Sequence, residues 1–433
     1  MLFSMVSSQL SVIEAISILI SIYATYGFLL ALYRLHLHPL ARYPGPRLAA
    51  ATRWYEFYFE VIKRGRFAWE IKRMHEVYGP VVRVTPDELH VSEPAFYDEL
   101  YAGTSRTRDK YAEAYNLSLV KGSSWTTVEH SLHRNRRAAV APFFNLTAIR
   151  QFDPVIRAKL ELLSVKFKKC QQSGENAKNS LDKAISDNKN RRQADIVHPT
   201  VFHELLESDL PEVERQPQRL LAEGISVLMA GTTTTAHYLR TTTYHILANP
   251  SILKELQAEL KTVMPDPSVL PPFNDLNTLP YFDAVINEGF RLSHGVIMRL
   301  PRVAPTEDLH VPNTDVTVPA GTPVGMSSWL VHMNPKLFPS PDDFRPERWL
   351  EQGAEGLKKY LVNFSKGSRI CLGKDLARAE IVYSLALLVR RWAGDEGMGM
   401  QLYETERKDV DIERDFFNPY SDFGSKGVRV VFK

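Results

Sequence analysis

The segment Phe364-Ser365-Lys366-Gly367-Ser368-Arg369-Ile370-Cys371-Leu372-Gly373 places a cysteine just ahead of a run, residues 373–392, that reads as a helix. Near a helix N-terminus the dipole and the free N–H groups stabilise negative charge, so Cys371 is set up as a thiolate. Gly367 and Gly373 carry no side chain that would keep a flat ligand from the backbone, and Phe364 can cover the sulfur. A cysteine by itself is usually a small buried hydrophobe. The ten-residue pattern weighs against that and asks the fold to build a cleft around one sulfur.

The only other cysteine is Cys170, so a disulfide scaffold is excluded and a reducing compartment is expected. A composition of 44% hydrophobic and 24% charged residues is that of a globular protein. A net charge of +3 with no dense basic tract argues against a nucleic-acid partner. Residues 15–33 carry no charge and are long enough to cross a bilayer core; Arg34 and Arg42 follow, which favours a cytosolic location for the rest. The start, MLFSMVSSQL, lacks the basic residue of a signal peptide. The expected organisation is a membrane anchor at 1–33, a hinge stiffened by Pro39, Pro44 and Pro46 at 34–46, and one domain at 47–433. Asn116-Leu117-Ser118 and Asn145-Leu146-Thr147 match a glycosylation pattern that matters only in a secretory lumen.

The domain reads as mainly α with a small β portion. Residues 81–93 suggest two short strands about Pro86-Asp87, and further strands are expected near 309, 316 and 427. Residues 216–248 predict an unusually long helix ended by Pro250; helices are also expected at 151–170, 278–292 and 373–393. The polar stretch 165–195 reads as a linker or exposed loop.

Other segments carry chemistry alongside Cys371. Glu288 and Arg291 lie three apart on one helix face and can pair, and Arg348 stands in the later segment FRPERW. Ala230-Gly231-Thr232-Thr233-Thr234-Thr235 puts a glycine and a run of hydroxyls mid-helix, where threonine can bond to the carbonyl one turn back. His133 and Arg137, four apart, and Arg302 are basic residues suited to a buried anion. Singly, each is more often a solvated or packed residue. Together they resemble the cytochrome P450 superfamily, whose signature Phe-x-x-Gly-x-Arg-x-Cys-x-Gly is met at every defined position. The subgroup most resembled is fungal and microsomal, of the trichodiene oxygenase-like kind.

That resemblance implies a cytochrome P450 fold and a haem b whose iron is held by Cys371, an electron-rich ligand that favours O–O cleavage. It implies His133, Arg137, Arg302 and Arg369 at the propionates, with Phe364, Gly367 and Gly373 shaping the cofactor site. Glu288, Arg291 and Arg348 form a structural triad. Ala230, Gly231 and Thr234 take the oxygen-activating positions, Thr234 managing protons. The implied activity is a monooxygenase that inserts one oxygen atom from dioxygen into an apolar small molecule of fungal secondary metabolism, a terpenoid or similar. It is fed by NADPH through NADPH-cytochrome P450 reductase at the endoplasmic reticulum membrane, with the catalytic domain facing the cytosol. Lys366, Lys374 and Arg378 would present a basic face to the reductase. Val296, Ile297, Met298, Phe416 and Phe417 are candidate substrate contacts.

Two departures stand out. Thr233 occupies the position where the family usually has a proton-relaying acid. The span from His133 to Gly231 is also short, so some helices between the propionate-anchoring helix and the long helix are expected to be missing. The rival reading is a truncated, catalytically impaired haem-binding remnant.

Overall fold

The computed structural model describes residues 12–115, 118, 120–173, 200–393 and 398–432. The helix Val12–His36 is long and apolar enough to cross a membrane by length and composition, and none of it is buried against the body. The chain then turns through a short helix, Pro39–Arg42. Leu40 and Tyr43 are buried, the Tyr43 hydroxyl donates to the Thr317 carbonyl at 2.6 Å, and Arg34 donates to the Ala51 carbonyl at 3.0 Å. The segment that carries the prolines is therefore tied to the body at Leu40 and Tyr43, while Pro39 and Pro44 are exposed.

The largest sheet has five short strands in the order Val81–Arg83, Leu89–Val91, Pro323–Gly325, Arg302–Val303 and Asp109–Lys110. The first two pair antiparallel about Pro86-Asp87 as expected. Leu309–His310 pairs with Thr317–Val318, and Val430–Phe432 with Met400–Leu402. The rest is mainly helical. The long helix spans Pro217–Ala248, opening on a proline that its first turn tolerates. It packs against Pro280–Ser293 and Lys374–Leu387. The main core joins Tyr238 and Ile246 of the long helix to Phe282 and Phe290 and to Val382 and Leu385.

Between His130–Val140 and the long helix stand only Leu146–Ser173, Val201–Glu207 and two single turns, Ala141–Phe144 and Glu212–Arg215, among the described residues. The linker expected at 165–195 is corrected at its start. The helix continues to Ser173 because Leu160, Leu163 and Phe167 recur at helical spacing on the core face; the Phe167 ring meets Trp392 at 4.9 Å and Phe432 at 5.2 Å. The remainder of that stretch, Asn116 of the first glycosylation pattern and the side chain of Cys170 lie outside the described residues.

The long helix leaves Leu221, Leu228 and Met229 more than half exposed, with Ile225 between them at 38%. Their helical spacing places them on one face. Buried ion pairs fix the helix start: Arg136 to Glu214 at 2.7 Å and Arg219 to Glu223 at 2.5 Å.

Candidate active site

The cysteine loop is held from several sides before its helix begins. The Cys371 N–H donates to the Phe364 carbonyl at 2.8 Å, and Arg137 donates to the Ile370 carbonyl at 2.7 Å. Leu372 and Leu376 share a cluster with Phe143 and with Val227 of the long helix, so three helices meet beside the sulfur. Cys371 is a free thiol reachable by solvent. Yet surrounding protein mass pushes its pKa up, against the Gly373 N–H, which bonds the sulfur, and the charge of Arg137. Accessible and desolvated together describe a sulfur facing a cleft. Phe364 lies edge-on to Phe290 at 5.0 Å and joins the main core.

The two glycines of the loop have different grounds. Gly367 has φ +69°, and a Cβ there would lie 2.0 Å from the Ala102 carbonyl oxygen. Its close approach is to protein backbone, which corrects the expectation that it makes room for a flat ligand. A Cβ on Gly373 would meet nothing within 4 Å.

Around the loop, basic side chains crowd, with Asp109 and Glu129 acting on Arg369 but not offsetting its burial. Lys110 and Arg302 sit directly opposite each other in an antiparallel pair and are both buried. Like charges so placed repel. Burial, then Arg302 and Arg369, hold the Lys110 ammonium well below its ordinary pKa. Arg369 is pushed down to about 10 by burial and by Arg302. His133 is pushed down to about 2, by burial and then by Arg369, Lys110, Arg137 and Arg302. Its Nδ1 is buried with no hydrogen-bond partner. A buried cluster of this sign, with an orphaned ring nitrogen, fits a dianionic cofactor that supplies the missing charge.

The structure thus brings His133, Arg137, Arg302 and Arg369 together. It spends three bonds of Arg369 on protein, however: to the carbonyls of Arg108 at 3.3 Å, Thr127 at 2.7 Å and Val128 at 2.6 Å. Arg369 ties the cysteine loop to the segment that precedes the His133 helix. Lys110 is a member that sequence reasoning missed. It donates to the Trp125 carbonyl, and its Nζ lies 4.3 Å from the Tyr115 ring and 4.9 Å from that of Trp125. Only the strand register facing Arg302 marks it.

Glu288, Arg291 and Arg348 form one buried network. Glu288 Oε1 lies 2.7 Å from Arg291 and 3.1 Å from Arg348; its Oε2 accepts from Trp349 at 2.9 Å. Arg291 also donates to the carbonyls of His332, Pro341 and Asp343, which pins the segment leading towards the cysteine loop.

On the long helix the Thr234 hydroxyl donates to the Ala230 carbonyl and the Thr233 hydroxyl to the Met229 carbonyl, both at 2.7 Å. Ala230, Gly231, Thr232 and Thr233 are exposed. Glu380, on the cysteine helix, bonds to Thr235, and burial pushes its carboxyl up.

Three sequence expectations change, those for Ile297, Phe416 and Arg378. Ile297 is fully buried in a satellite core with Ala68 and Trp329, so it is a packing residue. Val296 and Met298 are half-buried. Phe416 turns outward against Phe423 and Tyr420, whereas Phe417 lies edge-on to Trp125 at 5.2 Å. Arg378 is bound to Asn277 at 2.8 Å and Asp283 at 2.5 Å, which removes it from a docking face. Lys366 pairs with Asp98 at 2.6 Å, and Lys374 is exposed.

Residues 139–402 match the family model for Cytochrome P450. The chain belongs to the cytochrome P450 family. Among curated proteins it is 33% identical over 498 aligned positions to stellatic acid synthase of Emericella variicolor, covering 95% of this chain and 94% of that one. It is 34% identical to the cytochrome P450 monooxygenase tpcC of Cochliobolus heterostrophus, covering 94% of each. A tryptophan 6-hydroxylase of Fusarium equiseti is 34% identical, covering 97% of each. A solved zebrafish cytochrome P450, titled as a structure with abiraterone, shares the fold at a TM-score of 0.66 and 19% identity, covering 84% of this chain and 99% of that one. The alignment to stellatic acid synthase has more positions than the 433 residues present here. This P450 is therefore shorter than that relative within the aligned span, in keeping with missing segments. It is a P450 monooxygenase, an oxidoreductase of the haem-dependent kind.

Proposed function

We propose that this cytochrome P450 inserts one atom of dioxygen into an apolar small molecule of fungal secondary metabolism, a terpenoid or similar scaffold. What carries the reading is the pairing of an accessible, desolvated Cys371 sulfur with a buried cation cluster around the orphaned His133 Nδ1. Bound haem supplies oxygen activation. Cys371 Sγ holds its iron, while the Gly373 N–H and the Arg137 bond to Ile370 keep the sulfur in place. His133, Lys110, Arg137 and Arg302 bind the propionates, and Arg369 braces the loop between them.

Thr234 hands on protons at Oγ1, which already lies against the Ala230 carbonyl. Thr233 holds no charge at neutral pH. Glu380 is the acid that reaches the neighbouring Thr235, and the exposed helix face at Ala230–Thr233 admits water as a second proton source. NADPH supplies electrons through a reductase docking near Lys366 and Lys374, and the Val12–His36 helix anchors the chain in the endoplasmic reticulum membrane with the body in the cytosol.

The test is reconstitution with NADPH, a P450 reductase and oxygen-18 gas. The proposal predicts one labelled oxygen per product molecule, and greater peroxide release per NADPH in Thr234→Ala. The exposed apolar face of the long helix favours one second reading, an impaired haem-binding remnant. That reading predicts bound haem with NADPH consumed wholly as peroxide or water across a panel of terpenoid substrates.

A further inference from the structure

The C-terminal hairpin, Arg414–Phe416 paired with Asn418–Tyr420, docks on the segment 60–66 near the start of the body. The Asp415 N–H donates to the Gly65 carbonyl at 2.8 Å. Gly65 has φ +78°, and a Cβ there would lie 2.5 Å from the Asp415 carbonyl oxygen, so the two backbones are in direct contact. Arg66 donates to the Glu413 carbonyl at 2.6 Å, and Arg414 donates to the carbonyls of Lys63 and Arg64 at 3.1 and 3.0 Å.

A cavity of about 10 Å³, room for one water, lies at this joint, lined in part by Glu60, His90, Arg299 and Asp415. The charges there do not balance. Arg299 is already bound by Glu56 at 2.5 Å and Glu88 at 2.7 Å. Arg66 faces Glu413 at 2.7 Å, and Arg414 is turned to backbone carbonyls. His90 is fully buried and held neutral by burial. Glu60 and Asp415 share this cavity with Arg299, whose charge lowers both carboxyls without offsetting their burial. Burial and Asp415 push the Glu60 carboxyl up to about 8; burial pushes Asp415 up to about 6.

Asp415 also sets the turn. Its Oδ1 accepts the Phe417 N–H at 2.9 Å, and Phe417 has φ +73°, a strained conformation for a bulky residue. The Phe417 ring is the one that lies on Trp125, which in turn lies on Lys110 of the cation cluster.

We infer that Glu60 and Asp415 form a proton-dependent latch that holds the hairpin closed, with Phe417 against Trp125 at the edge of the haem site. One shared negative charge at the joint is tolerated. A second, on Glu60, repels Asp415 within the buried joint and releases the hairpin. The latch takes its role in substrate access from the proposed monooxygenase reading, but its motion is measurable without turnover, so the two can fail separately.

The test is hydrogen–deuterium exchange of residues 413–421, corrected for intrinsic rates, from about pH 6.5 to about pH 9.5. As pH rises towards about 8 the wild-type hairpin loses about tenfold of protection per pH unit, the slope of one titrating group, and the loss levels off above about pH 8, where Glu60 is ionised in the closed hairpin as well. Glu60→Gln abolishes the loss, and Asp415→Asn moves its levelling-off to lower pH by removing the like charge. Flat wild-type protection overturns the latch, as does a loss unchanged in both variants. If Glu60→Gln does not fold, the pH at which the loss levels off in Asp415→Asn decides.

Discussion

Lys110 shows how one residue can be wrong for the empty fold and right for the loaded one. It faces Arg302 across a strand pair, inside the protein, with Arg369 adding a third positive charge. Lys110→Met removes the repulsion while keeping the stem, so the haem-free protein is expected to gain up to about 1 kcal/mol in denaturant unfolding. The same variant is expected to lose haem faster to an acceptor such as apomyoglobin. Stability falling together with haem retention would show that Lys110 serves packing alone. His133, Arg137, Arg302 and Cys371 were read together, from their combined likeness to a family pattern, since each alone is more often a solvated or packed residue. Lys110 was not, because its meaning is a cross-strand register that no local pattern contains. Gly367 was legible as a necessary glycine but for the wrong neighbour: the Ala102 carbonyl, far off in sequence, is what excludes a side chain.

At the scale of the element, the long helix holds the clearest conflict between folding and function. Gly231 sits mid-helix at a cost of up to about 1 kcal/mol relative to alanine, and a Cβ there would meet nothing within 4 Å. Gly231→Ala is therefore expected to stabilise the haem-free protein by up to about that amount in thermal or urea unfolding, while lowering substrate turnover. Destabilisation would mean that something packs on this face after all. The helix itself was plain in the sequence, as were the helix carrying Glu288 and the one that follows Cys371, because each has the apolar period and a proline or glycine at an end. The helix through Leu160 and Phe167 was read only in part, since its last turns are polar on the outside and its buried contacts, Trp392 and Phe432, come from the far end of the chain. The fates of Ile297 and Phe416 turned on the same kind of distant neighbour.

For the whole molecule, buried neutral histidines set the response to acid. His75 and His245 are pushed down to about 4, and His237 and His332 to about 3, each mainly by burial; His90 and His294 lie well below the usual histidine value. Their folded pKa values are depressed below the unfolded value of 6.5. Between those values the unfolded chain binds protons that the folded chain refuses, so stability falls as pH drops below about 6.5, by about 1.4 kcal/mol per pH unit for each such group. Raised carboxyls such as Glu60 oppose this, because their extra proton is held in the folded state and lost as pH rises. Histidines outnumber them, so unfolding free energy is expected to drop between about pH 6.5 and about pH 4, with net proton uptake on unfolding. Stability level or rising across that window would contradict the burial described for these rings.

All of this turns on one sulfur holding iron. The direct measurement is the carbon monoxide difference spectrum of the reduced, purified protein beside that of Cys371→Ala. The wild type is expected to show the red-shifted Soret band of thiolate ligation, and the variant to lose it. A wild-type band typical of histidine or thiol ligation, or a thiolate band that survives in Cys371→Ala, would contradict the assignment.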